Sequence, residues 1–490
     1  MIDRCARRYF VVLIAVLSIL AACGDDPDDP SQGDAGLADG GDAGASADAD
    51  GGHTSPDAGD VGEDFARDTA LDDFVADDSD FEYEVAWEEE GALADVALLD
   101  VTSQTWRSDD EVDRTTWEHD VVVAVPEDAD TSTSLLLVNG GSNDGEEPDQ
   151  DDEDVSTAQL VASEVGTPVV VASQIPNQPL TIEGEGEDMV EDDLVASSWH
   201  MAIETGDPTW SAYFPMARSV SRAMDAVQDY MDDNDAPVDD FVLTGFSKRG
   251  ATTYLATAAD RRVRAMAPGV FDFLNFRPQA EHHLDVYGEP APAVADYAEY
   301  DLLERVDDEE SDILLETSDP YAYRERFTMP KLIMASTGDQ FFLPDSMRFY
   351  IDDIPGETLV RYVPNSGHSL TPPGEDMLDL IEPLAAWYTS VVDEEPRPEL
   401  TWTHDAGELT VSASPEPDQV NLWTGTNEEE RNFRFDVVED IFESTELEAD
   451  EEGDYTATVD PPDEGYTAYL IEAIFDDQVY TTQTYVTPDD

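Results

Sequence analysis

Ser247, Asp339 and His368 are the residues of this chain whose types and order could run covalent hydrolysis. A serine hydroxyl is a poor nucleophile until a base removes its proton, and the base works only when a third group holds it. Ser247 stands in the stretch FVLTGFSKRGATTYLA, residues 241–256. An apolar run there ends at Gly245, the serine follows, and Gly250 opens a helix-forming segment. Strand, sharp turn with a serine at its tip, then helix is the local form of a nucleophile elbow. Asp339 lies just past the apolar run 331–336, and His368 ends the tight loop PNSGH after the run 359–363. Serine, acid and histidine thus arrive in α/β-hydrolase order, each beyond the end of a strand.

Such a triad needs two backbone N–H groups for the oxyanion. One is expected at Lys248, the residue after the serine, and the other at Gly141 or Ser142 in the loop NGGSN, which follows the buried run LLLV of residues 135–138. His119, His200, His282, His283 and His404 read as ordinary surface or core residues. The adjacent pair 282–283 lacks the spaced acidic or cysteine partners of a zinc site, so neither a metal nor a cofactor is expected.

These residues must be carried by a sheet with helices. Short apolar runs at 95–106, 117–125, 135–138, 168–172, 241–243, 264–267, 332–335 and 359–363 predict strands. Helices are predicted at 156–165, at 216–231, where apolar residues recur every three or four positions, and at 377–391. Strands alternating with helices predict a mostly parallel α/β sheet covered on both faces, here an α/β-hydrolase fold spanning 76–393. The connection 272–329 is too long for a loop between two strands and predicts a helical cap over the site. Beyond the boundary EEPRP, regular short strands at 409–413, 419–423, 432–438, 455–459, 466–475 and 478–486 predict a small all-β, sandwich-like module at 394–490. It holds no catalytic constellation and reads as a structural or docking unit.

The amino terminus decides the compartment. Arg4, Arg7 and Arg8 precede an apolar run too short to span a bilayer, which ends in Leu-Ala-Ala-Cys23. The pattern resembles the lipobox of bacterial lipoproteins and implies a signal peptide at 1–22, lipidation of Cys23 and a cell-envelope location. Export by the general or the twin-arginine route stays open. Only Cys5 and Cys23 exist, so a disulfide within the mature chain is not expected. Residues 24–60 carry eleven Asp and no Lys or Arg, which predicts a disordered acidic tether, taken to extend over 23–75. The whole chain has 116 acidic against 23 basic residues, a net charge of −93. That surface repels nucleic acid and anionic lipid, leaving the lipid anchor as the only membrane contact, and it resembles the acidic proteins of salt-adapted organisms.

The stretches GFSKRGATTYLATAADRRVRAMAPGVFDFLNF, PKLIMASTGDQFFLPD and LVRYVPNSGH resemble the corresponding blocks of the PhoPQ-activated pathogenicity-related protein family, as do VNGGSN, QIPNQPL and YFPMARSVSRAMDAVQ. The resemblance covers roughly 84–392 and implies Ser247, Asp339 and His368 as a triad on an α/β-hydrolase scaffold. It also implies that Lys248 and Arg249 are a family feature, because Arg249 occupies the place of the usual second glycine. A similar basic turn occurs in glucuronoyl esterases, which makes Arg249 a substrate-binding candidate and Lys248 a charge near the oxyanion. The alternative is that both pair with carboxylates under the elbow. A serine hydrolase cleaving an ester or amide of a small molecule, peptide or glycan is the first expectation. A non-catalytic binding or signalling protein on the same scaffold, and a uronoyl-type carbohydrate esterase, are the others.

Overall fold

In the computed structural model the described residues are 52–53, 68–145, 147–374 and 378–489, with only the backbone described at 52–53 and 378–379. The expected signal peptide, Cys23 and most of the acidic tether lie outside the described residues. The central sheet has nine strands: β1 (Glu82–Glu89), β2 (Asp95–Thr105), β3 (Thr116–Val125), β4 (Thr133–Val138), β5 (Val169–Ala172), β6 (Asp240–Phe246), β7 (Val263–Gly269), β8 (Lys331–Ser336) and β9 (Thr358–Val363). Their spatial order is β9-β8-β7-β6-β4-β5-β3-β2-β1. The six from β9 to β5 run parallel, and β3, β2 and β1 continue the sheet antiparallel. This is the sheet of an α/β-hydrolase. All residues of β4, β5, β8 and β9 are buried, as strands covered on both faces require.

Helices α1 (Ala70–Val75), α2 (Glu153–Val165), α3 (Glu191–Thr205), α4 (Tyr213–Asp233), α5 (Lys248–Ala259), α6 (Phe276–Tyr287) and α7 (Leu378–Val392) complete the hydrolase unit. Between β7 and β8, α6 is joined by short helical pieces at Ala295–Ala298, Asp312–Thr317 and Pro320–Arg326, the helical insertion expected at 272–329. Asp319 fixes the start of α6 by accepting the N–H groups of Asn275 at 3.1 Å and Phe276 at 2.7 Å.

The tether expectation needs correction at its end, because α1 belongs to the folded body. Thr69 and Asp72 form a capping box, Leu71 and Val75 are buried, and Arg326 holds Asp72 at 2.8 Å. Burying each aliphatic side chain contributes about 1.5–3 kcal/mol, enough to recruit a six-residue helix that would not form alone. Gly52 and His53 likewise pair with a strand, adding to the edge of the carboxyl-terminal module.

That module contains β10 (Glu399–Asp405), β11 (Glu408–Ser414), β12 (Gln419–Asn427), β13 (Glu443–Glu446), β14 (Tyr455–Thr458), β15 (Tyr466–Phe475), β16 (Gln478–Thr481) and β17 (Tyr485–Thr487). One antiparallel sheet orders them β10-β11-β14; the other runs β13-β12-β15-β16, with β17 also paired to β15. The strand expected at 432–438 is absent. That stretch is a loop followed by a single helical turn, Phe435–Val438, and it packs on the hydrolase unit.

Candidate active site

Ser247 joins β6 to α5 with φ 57° and ψ −127°, a conformation disfavoured for any residue with a side chain. Its own N–H donates to Gly269 O at 2.9 Å, which ties the turn to the neighbouring strand β7. The two flanking glycines are needed for space. A Cβ on Gly245 would lie 2.7 Å from Arg249 O, and one on Gly250 would lie 2.8 Å from Gly269 O. Close helix-to-strand approach therefore falls on position 250, which frees position 249 to carry a long side chain.

The structure brings the three expected residues together. Ser247 Oγ lies 2.9 Å from His368 Nε2, and His368 Nδ1 lies 2.9 and 3.0 Å from the two Asp339 oxygens. The carboxylate assigns the ring proton to Nδ1, which leaves Nε2 bare to accept from the serine. Each member is fixed in turn. Asp339 accepts the Phe341 N–H at 2.8 Å, and the His368 N–H donates to Gln340 Oε1 at 2.8 Å. Phe341 packs against the His368 ring at 4.4 Å.

Lys248 and Arg249 are both engaged by carboxylates, and of the two only Lys248 reaches the cavity wall. Lys248 Nζ sits 2.8 Å from Glu191 and 3.2 Å from Asp192, while Arg249 meets Glu191 through both terminal nitrogens at 2.6 and 2.7 Å. Arg249 Nε also donates to Ile175 O at 2.8 Å. The expectation that Arg249 binds substrate is thereby corrected: its fork is spent on the half-buried carboxylate of Glu191. Burial is the strongest single influence on Glu191 and opposes its charge, but Arg249 and Lys248 together outweigh it and hold the carboxyl far below its usual range. Glu191 reaches further, because Gln178 donates both to Glu191 at 2.5 Å and to Gly141 O at 3.1 Å. A chain of contacts Arg249, Glu191, Gln178, Gly141 thus links the elbow to the glycine loop. Glu191 and Gln178 were missed in sequence, although Gln178 lies in the QIPNQPL block. The 175–180 loop supports the site from beneath and does not appear in the cavity wall.

Gly141 and Ser142 follow β4, the strand paired beside β6. Among the described residues, the backbone N–H groups of Gly141, Ser142 and Lys248 donate to no protein acceptor. From Ser247 opens a cavity of about 850 Å³, mouth included, roofed by the insertion. Its wall is largely apolar, with Phe271, Phe341 and Phe342 near the triad and Leu303, Val306 and Leu314 in the roof. Trp199 lines it too, from α3. The polar wall atoms include the Lys248–Asp192 pair, and Tyr297 donates to Asp192 at 2.8 Å. His282 is paired with Asp345 at 3.2 Å, and His283 Nε2 accepts the Ala291 N–H at 2.9 Å.

The model of the PhoPQ-activated pathogenicity-related protein family matches residues 71–434. The chain belongs to that family. It is 33% identical over 429 residues to autocrine proliferation repressor protein A of Dictyostelium discoideum, a match covering 83% of this chain and 85% of that protein. Among solved structures it is similar to acetyl xylan esterase 1 from Thermoanaerobacterium sp. JW/SL YS485, with TM-score 0.46 and 15% identity over 66% of this chain and 92% of the esterase. The glucuronoyl esterase from Solibacter usitatus is more distant, with TM-score 0.36 and 14% identity over 65% of this chain and 86% of the esterase. The region matched by the family model runs past the sheet into the carboxyl-terminal module.

Proposed function

We propose that the protein is a serine hydrolase that cleaves esters with an apolar acyl group through an acyl-enzyme. The observation that carries this reading is the unbroken relay from Asp339 through His368 to Ser247, all within hydrogen-bonding distance. Ser247 Oγ attacks the acyl carbonyl as His368 Nε2 takes its proton, and Asp339 stabilises the imidazolium. The N–H groups of Lys248 and of Gly141 or Ser142 receive the oxyanion. His368 then returns the proton to the leaving alcohol, and water, deprotonated by the same imidazole, releases the acid. The side chain of Lys248 is engaged by Glu191 and Asp192, which argues against a free cation for a uronate.

The apolar wall of the cavity supports an apolar acyl group. Each methylene buried there contributes about 0.8 kcal/mol, so 4-nitrophenyl hexanoate should exceed the acetate in kcat/KM by roughly tenfold or more. Ser247→Ala should abolish both. Equal rates in Ser247→Ala would refute the hydrolase, while a flat chain-length profile would refute only the acyl assignment.

The name of the Dictyostelium relative favours a second reading, a signalling protein that uses the scaffold without turnover. A biological effect that survives Ser247→Ala would select it. We also propose that Cys23 anchors the chain to a bacterial membrane. Cys23→Ser should move it from the membrane to the soluble fraction; an unchanged distribution would refute the anchor.

A further inference from the structure

The stretch 431–442 of the carboxyl-terminal module sits on the two loops that carry Asp339 and His368. The Phe435 N–H donates to the carbonyl of Gly338, the residue before Asp339, at 2.8 Å. Asn365, three positions before His368, grips the Phe442 backbone at both ends. Its Nδ2 donates to Phe442 O at 2.9 Å, and its Oδ1 accepts the Phe442 N–H at 2.8 Å. The two loops are also tied to each other. Gly338 N–H donates to Ser366 O at 3.0 Å, and Asn365 N–H donates to Thr337 Oγ1 at 3.1 Å. Contact is close enough that a Cβ on Gly338 would come within 3.1 Å of Phe433 O and of Phe435 Cβ. A buried ion pair closes the other end, where Arg431 Nη2 meets Asp345 at 2.8 Å. The family match, ending at residue 434, includes the first part of this stretch.

We propose that residues 431–442 are a positioning clamp, through which the carboxyl-terminal module sets the register between Asp339 and His368 and hence the reactivity of Ser247. The inference rests on the hydrolase reading. Neither Asn365 nor Phe435 lines the cavity, so both are positioning residues, and removing them should act on the chemical step and not on substrate binding. Misplacing a catalytic group by about 1 Å lowers rates by up to roughly a hundredfold.

Two variants test the clamp. Asn365→Gly removes both grips on Phe442 and keeps the backbone, because glycine adopts the φ of 56° at this position without strain. Phe435→Pro deletes the N–H that holds Gly338; Arg434 at φ −56° and ψ 134° already has the extended backbone that precedes a proline. In each, kcat for the preferred 4-nitrophenyl ester should fall about 10- to 100-fold with KM within about twofold. Amide exchange in 337–341 and 365–370 should quicken, and the melting transition should remain above the assay temperature. If one variant does not fold, the other decides. Unchanged kcat in a folded variant, or KM rising to match the loss in kcat/KM, would overturn the clamp. If the wild-type chain hydrolyses no ester, the hydrolase reading fails separately, and unchanged exchange in both loops would then overturn the clamp on its own.

Discussion

Lys248 and Arg249 show what a sequence leaves open at the scale of a residue. Their place beside the serine is visible, but their partners, Glu191 and Asp192, lie far away in the chain, and only the fold decides between carboxylates beneath the elbow and a ligand above it. The triad was legible for the opposite reason: its three members are each announced by a preceding apolar strand. Asp272 was not singled out, because a lone Asp after a strand carries no signal in so acidic a chain. It is buried just past β7, accepting from Tyr350 at 2.7 Å and from Tyr362. Burial pushes its carboxyl up to about 7, only partly offset by the hydrogen bonds from Tyr362 and Tyr350, while Asp339 and Asp345 push in the same direction as burial. A carboxyl raised above its unfolded value near about 4 favours folding while protonated. Its contribution is complete below pH about 4 and is lost as the pH rises through about 7. Asp272→Asn should therefore melt higher than the wild type at pH 8 relative to pH 5, by roughly a few °C. Melting curves whose difference is the same at both pH values would contradict this.

At the scale of elements, what was legible follows burial. β4, β5 and β8 carry continuous apolar runs because both faces are covered, the run in β9 is apolar but for Arg361, and α4 shows its stripe because one face meets the sheet. β1 escaped notice because it is an edge strand whose residues are mostly exposed and half of them acidic, and β13, sequence Glu-Ser-Thr-Glu, is exposed throughout. Such strands are held by backbone pairing, which leaves no hydrophobic period in the sequence. The stretch 432–438 misled for a related reason. Phe433 and Phe435 alternate with polar residues as in a half-buried strand, yet Phe433 is buried in the module and the backbone at Phe435 turns to the Gly338 carbonyl. Shape complementarity between two units is a tertiary fact, and period-two patterning cannot distinguish it from a sheet.

Over the whole molecule, charge and modularity bear on the same site. With 23 basic residues against 116 acidic ones, cations are scarce, and several are committed to interior pairs. Lys248 and Arg249 hold Glu191, Arg326 joins α1 to the hydrolase unit, and Arg431 joins the carboxyl-terminal module to Asp345. Truncating one partner of such a buried pair leaves an uncompensated charge, at a cost of about 3–5 kcal/mol. Positive charge is thus placed where it joins separate elements of the fold, and the chain as a whole keeps its acidic excess. The composition made the excess plain; where the few cations would go depended on contacts between segments distant in sequence. The most direct measurement is covalent capture of Ser247: the folded chain is treated with a fluorophosphonate in high salt and the adduct is located by peptide mass, beside His368→Ala. Phosphonylation confined to Ser247 and lost in His368→Ala is the expected result. A folded wild-type chain that stays unmodified, or a His368→Ala chain modified at the same rate, would contradict an activated serine.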